Sequence, residues 1–146
     1  METLLISLHP RHSQNIFSEK KTIELRKKSP RMQPNGDRVF SNQPACDRVL
    51  IYETVPTGEI VGWFLASSVM SMSKVAWHEY TSQLCLTESE IDGYLNEIGY
   101  GIVVWRPQRI TPIPLSKMRE LNIVPPQGYR YLNEEMIEKL GIKFND

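Results

Sequence analysis

Apolar residues come in short blocks along this chain, and the spacing within each block says what it folds into. Leu4-Leu5-Ile6-Ser7-Leu8 is short, apolar and β-prone, and predicts a buried first strand. Pro10 then opens a helix, since its fixed φ suits a first turn, with Ile16 and Phe17 facing the core. Lys21 to Leu25 alternates with period two, which puts Ile23 and Leu25 on one strand face and Thr22, Glu24 and Arg26 on the other. Asp47 to Thr54, a turn at Pro56-Thr57-Gly58 and the long β-rich stretch Glu59 to Met72 predict an antiparallel hairpin. Gly62, inside its second strand, marks a bulge or a close backbone approach.

Helical spacing returns at Val75, Ala76, Tyr80 and Leu84 and predicts a helix over 73–84. Thr87 and Glu90 form a capping box for the next helix, which carries Ile91, Tyr94, Leu95 and Ile98 and stops at Gly99. Tyr100 to Trp105 reads as a strand, extended by Arg109 to Pro114 past a bend at Pro107. Leu115 to Leu121 is a short helix, Val124 to Tyr131 an aromatic turn, and Asn133 caps a last helix that stops near Gly141. Residues 27–46 are turn-rich and predict a long loop, of the kind that is often functional. About six strands with inserted helices imply an α+β barrel.

The length, 146 residues, suits one domain over 1–146, closing with a helix within 133–146. Formal net charge is zero, which argues against coating nucleic acid by bulk charge. The balance is uneven, however. Residues 1–50 hold nine basic and five acidic side chains, so the front half can carry a local anion-binding face. Cys46 and Cys85 are far apart and in no metal-type spacing, so two reduced thiols are expected. The start lacks the pattern of a signal peptide and no apolar run is long enough to span a membrane, so a cytoplasmic protein is expected.

Two segments could carry chemistry. Six basic residues (Lys20, Lys21, Arg26, Lys27, Lys28 and Arg31) fall within twelve positions, interleaved with Thr22 and Glu24. A carboxylate between cations can orient them toward phosphate or accept hydrogen bonds from a base or ribose. The bland alternative is a solvated strand face with ion pairs. In Pro125-Pro126-Gln127-Gly128-Tyr129-Arg130-Tyr131, Gln127 and Arg130 could read a base edge and the tyrosines could stack, or the segment could plug a barrel end. His9 and His12 could meet across a helical turn, but no third ligand makes a metal site, and neither metal nor cofactor is expected. Trp63, Trp77 and Trp105 lie in apolar contexts that suit core positions better than a stacking platform.

Glu19-Lys20-Lys21-Thr22-Ile23-Glu24-Leu25-Arg26, after the opening Leu5-Ile6-Ser7-Leu8-His9-Pro10, resembles the ASCH family. Asp47 to Thr54 followed by Ile60-Val61-Gly62 resembles that family's next hairpin, Tyr100-Gly101-Ile102 a later strand, and 125–131 a C-terminal signature, so the likeness covers about 4–132. It implies a PUA-like, mixed or antiparallel β-barrel with peripheral helices and a cleft between the first helix and the sheet. RNA, single-stranded nucleic acid or a nucleoside is the implied ligand. Lys21, Thr22, Glu24 and Arg26 would line the cleft, with Lys27, Gln127 and Arg130 as further contacts.

An enzymatic branch of the family deacetylates N4-acetylcytidine; Lys21 matches its lysine, but Glu24 stands where it has threonine, and Leu84 and Cys85 near where it has glutamate. A ribonuclease would use Lys21 as cation and Glu24 as base. A binding module is therefore the leading expectation and an enzyme on RNA or modified nucleosides the alternative. A protein-interaction module built on Tyr129 and Tyr131 is the third. With pI near 6.8, any nucleic-acid affinity should be local and salt-sensitive.

Overall fold

The structure, a computed structural model, describes residues 2–32, 44 and 46–144. Much of the long loop expected over 27–46 lies outside the described residues; its flanks meet in an isolated antiparallel bridge between Met32 and Pro44.

Chain order runs β1 (Thr3–Leu8), α1 (Pro10–Phe17), β2 (Ile23–Arg26), β3 (Arg48–Glu53), β4 (Glu59–Ser73), α2 (Lys74–Trp77), α3 (Thr81–Leu84), α4 (Glu88–Tyr94), β5 (Ile98–Pro114), α5 (Leu115–Glu120), β6 (Tyr129–Leu132) and α6 (Glu134–Leu140). The six strands form one mixed sheet in the order β2-β5-β4-β3-β1-β6. β1 runs parallel to β3, and the other pairings are antiparallel. Parallel neighbours need a crossover connection, and α1 and β2 lie within it. The α+β class and six strands expected from the sequence are present, with β2 and β6 left as edges of an open ladder.

Apolar spacing follows from burial. Leu4, Ile6 and Leu8 enter one core cluster with Ile16, Val49, Ile51 and Phe64. Leu5 enters a second on the other face with Leu50, Trp63, Met118 and Ile137. A strand covered on both faces has no polar alternation to show, which is why 4–6 reads as an unbroken apolar run. A third cluster joins Ile23 and Leu25 of β2 to Trp77, Leu84, Ile91 and Leu95.

Several boundaries differ from expectation. The helix expected over 73–84 is α2, a 3-10 turn at His78–Tyr80, and α3. Val75, one of the four positions at helical spacing, is 71% exposed, while Trp77 is fully buried, as its apolar context suggests. Trp77 takes the inward position because its indole lies on two glycines of β5: its Nε1–H donates to the Gly99 carbonyl at 3.0 Å, and a Cβ on Gly101 would sit 2.2 Å from its ring. α4 starts at the predicted capping box but ends at Tyr94, and Ile98 already belongs to β5. β5 passes Pro107 as one strand, accommodating it through register shifts against β4 rather than a break. The aromatic turn ends in β6, paired with β1. Gly62 is a close approach, as expected: a Cβ there would meet the Gln108 carbonyl and the Phe17 ring, both at 2.4 Å.

No helix among the described residues is long and apolar enough to cross a membrane.

The same substitution should have opposite signs at two glycines. Gly101→Ala drives a methyl into the Trp77 ring and should cost about 1–3 kcal/mol by overpacking. Gly93→Ala, in α4 with nothing within 4 Å of the new Cβ, should add about 0.5–1 kcal/mol. Urea unfolding of both variants checks the pair.

Candidate functional site

Lys21 is placed by the end of α1. Both Lys20 and Lys21 donate their backbone N–H to the Asn15 carbonyl, at 3.0 and 2.9 Å, after Glu19 has taken a left-handed turn at φ 64°. The side chain then runs inward and is only 2% exposed. Its ammonium donates to the Leu84 carbonyl at the C-terminal end of α3 at 2.5 Å, satisfying one of the carbonyls that a helix end leaves without a partner.

Glu24, 4% exposed on β2, stands between two cations. Its carboxylate lies 3.8 Å from the Lys21 ammonium and accepts from the Arg26 guanidinium at 3.1 Å. Arg26 also donates to the Gly128 carbonyl at 3.2 Å and lies 5.1 Å over the Tyr129 ring. Gly128 immediately precedes β6, so Arg26 links the two open edges of the sheet by a side chain where the ladder does not. The Ser7 hydroxyl, from β1, holds the same segment through the Pro126 carbonyl at 2.6 Å.

These groups line a cleft of about 500 Å³ between α1, β2 and α4, which Ser7, His9, His12, Glu90 and Tyr94 help to enclose. Burial pushes the Lys21 ammonium below its ordinary pKa, against the attraction of Glu24. Burial also opposes the Arg26 charge, but Glu24 with Tyr129 and Tyr94 holds its pKa above the ordinary value. His12 is lowered by burial and then by Lys21, so it is neutral at pH 7. Its Nδ1 is buried and meets no hydrogen-bond partner among the described residues. At the rim, Arg11 of α1 grips Glu90 of α4 at 2.7 Å and the Cys85 carbonyl at 3.1 Å, holding the Glu90 carboxyl down at about 2.

Of the residues singled out in the sequence, Lys21, Glu24 and Arg26 therefore meet in one cleft. Lys27 is exposed beside it, 5.0 Å over the Tyr94 ring. Thr22 does not join them. It precedes β2, and its backbone ties it to Gln83 and Val104, so it faces a smaller hollow beside Trp105. Gln127 is exposed outside the cleft; the carbonyls on either side of it, at Pro126 and Gly128, make the contacts instead. Arg130 pairs with Leu5 and so shares the opposite sheet face from Tyr129 and Tyr131, its guanidinium reaching only the Val124 carbonyl at 3.5 Å. Tyr129 and Tyr131 pack on the core, each covered by an arginine, Arg26 and Arg31. That leaves little of them for a partner surface. Tyr94 carries no local signal of a site, and the His9–His12 spacing points only to a candidate metal pair; both His12 and Tyr94 reach the cleft because α1 and α4 fold toward β2.

Among the described residues, no group of three or more His, Cys, Asp or Glu side chains could hold a metal ion. Cys46 and Cys85 are free thiols.

No family model matches the chain. An ASCH domain-containing ribonuclease from Zymomonas mobilis is 30% identical over 142 residues, covering 93% of this chain and 88% of that protein. The chain belongs to the ASCH family. A crystal structure of the Zymomonas mobilis ASCH protein matches it with a TM-score of 0.80 at 28% identity, covering 95% of this chain and 93% of that one. The open six-stranded sheet is thus a PUA-like fold. The N-terminal domain of McrB from Staphylothermus marinus, at 9% identity and a TM-score of 0.54, shares the fold alone. The large ribosomal subunit protein uL22 of Ureaplasma parvum is 30% identical over 137 residues, which span 90% of this chain but only 39% of that protein.

Within this ASCH cleft, Glu24 is the group whose loss leaves two buried cations side by side. Glu24→Ala should lower the unfolding free energy by about 3–5 kcal/mol. Lys21→Met should cost about 1–3 kcal/mol, for a Leu84 carbonyl left without its donor. Because the folded pKa of Lys21 lies below its unfolded value of 10.5, the unfolded chain binds more protons between the two. Wild-type stability should therefore rise with pH across that window relative to Lys21→Met. Urea titrations of both proteins from neutral to alkaline pH check the sign.

Proposed function

We propose that the cleft binds single-stranded RNA, one nucleotide at a time, on the Lys21–Glu24–Arg26 floor. The observation that carries this reading is the buried cation–carboxylate–cation cluster opening on a cavity that His12 also lines. Two cations and a carboxylate out of water are expensive to maintain, and hydrophobic side chains would fill the same space at no such cost. A phosphate facing Arg26 and a ribose hydroxyl or base N–H facing Glu24 or His12 would use each group for what it can do. The volume of about 500 Å³ lies in the range of small-molecule sites and suits a nucleotide unit rather than a duplex. The relative named as a ribonuclease supports RNA over other anions.

That same relative, with the neutral His12, supports a second reading in which the bound strand is cut. The ribose 2′-oxygen attacks phosphorus as His12 accepts its proton. The bond from phosphorus to the 5′-oxygen breaks, and the leaving oxygen takes a proton from the Lys21 ammonium. Arg26 faces the charge that builds on the phosphoryl oxygens. The products are a 2′,3′-cyclic phosphate and a 5′-hydroxyl.

Fluorescent single-stranded and duplex RNA and DNA, titrated at two salt concentrations, separate these readings. Single-stranded RNA should bind saturably, with the slope of log affinity on log salt flattened by about 0.7 for each phosphate contact removed, as in Lys27→Ala. Lys21→Met, checked for its melting temperature, should lose binding. If probe is cut, the rate should rise with pH through a value below 6.5, where His12 loses its proton. No saturable binding by wild type at micromolar concentration ends the RNA reading.

A further inference from the structure

Two of the three tryptophans are core residues as the sequence suggests, Trp63 at 2% exposure and Trp77 fully buried, but Trp105 is 51% exposed. It lies on β5, paired with Leu65 next to a register shift, and borders the residues that lead into β2. The Arg106 guanidinium lies over that indole at 4.5 Å. Arg106 adopts φ 50°, a conformation that L side chains rarely take and that glycine adopts freely. Residues held in such backbone conformations cluster at ligand sites.

This pair borders a small hollow of about 80 Å³, lined also by Thr22, Glu19 and Lys21. Lys21 lines both this hollow and the large cleft. One buried lysine therefore separates the two places. The hollow is too small to admit a base, so a base would lie on the exposed indole rather than enter.

We propose that Trp105 and Arg106 form a stacking platform for the nucleotide next to the one held in the cleft, so that the RNA strand passes over Lys21. The inference rests on the RNA reading of the cleft. An indole offers a π-face to any base, and a guanidinium above it can stack or meet the adjoining phosphate. The site is thus selective for single strands and tolerant of sequence.

The test is titration with single-stranded RNA of one, two, four and eight nucleotides. Because Trp63 and Trp77 are buried, a change in tryptophan emission reports mainly on Trp105. Emission should be quenched by the dinucleotide and longer RNA. Trp105→Ala should lose about tenfold or more in affinity for those lengths while binding the mononucleotide as wild type does. Arg106→Gly should raise the melting temperature yet weaken the longer RNAs, a combination that a purely structural role would not give. Emission unchanged at saturating RNA overturns the platform. So does Trp105→Ala that binds every length normally, or that loses the mononucleotide equally. If Lys21→Met loses binding in those cases, the cleft reading stands without the platform. If wild type binds no RNA of any length, both fall.

Discussion

The Glu24 carboxylate, out of solvent between Lys21 and Arg26, is where the parts of this protein are tied together. Each of its two cations reaches on to a second element. Lys21 closes the end of α3 through the Leu84 carbonyl, which docks the helical insertion on β2. Arg26 reaches the Gly128 carbonyl and so holds the segment before β6 against β2. The sheet is open as a ladder between these strands, and the ion cluster stands in for the missing pairing. Withdrawing the carboxylate would leave both cations buried together, which is why the cluster persists as a unit.

An ion cluster of this kind is a poor choice for stability alone, since apolar side chains of similar volume usually serve as well or better. Its value lies in prearranged charge. Arg26 is fixed by Glu24, Gly128 and Tyr129, and so loses little further freedom when an anion arrives. Lys21, with its proton less tightly held than in water, can give it up more readily than a surface lysine. The Arg11–Glu90 pair spans the rim and ties α1 to α4. In the proposed reading, binding and chemistry would use the same desolvated groups, and the fold, not the ligand, would supply the cost of desolvating them.

The architecture was legible in the sequence wherever one residue pattern answered to one local force. The capping box at Thr87 and Glu90 and the Asn133 cap follow from backbone chemistry within a few residues, and Gly62 announced a close approach without naming its partners, Gln108 and Phe17. The Lys21–Glu24–Arg26 cluster was legible too, because β2 and the residues before it carry it in one short stretch. What the pattern misplaced depended on partners distant along the chain. Val75, grouped with the apolar positions of its helix, is exposed because Trp77 fills the inward position, where two glycines of β5, more than twenty residues on, leave room for an indole. Thr22 left the cleft because its backbone bonds to α3 and β5 begin before the strand does. Arg130 went to the other face because β6 is a strand rather than a turn, and strand alternation separates it from its tyrosine neighbours.

Zero net charge and an anionic polymer as ligand are compatible once the charge is counted locally. Arg26, Lys27 and Lys21 lie at or beside the cleft, Arg106 stands beyond Lys21, and the excess of acid lies in residues 51–146. A protein built this way does not coat RNA. It would hold a few nucleotides where a narrow line of cations, aromatic faces and one buried carboxylate coincide, and release the strand elsewhere. Such a line favours single strands, because only unstacked bases can lie against Trp105 while a neighbouring sugar and phosphate descend toward Arg26 and His12. The same geometry would disfavour a duplex, since its bases are already stacked on one another.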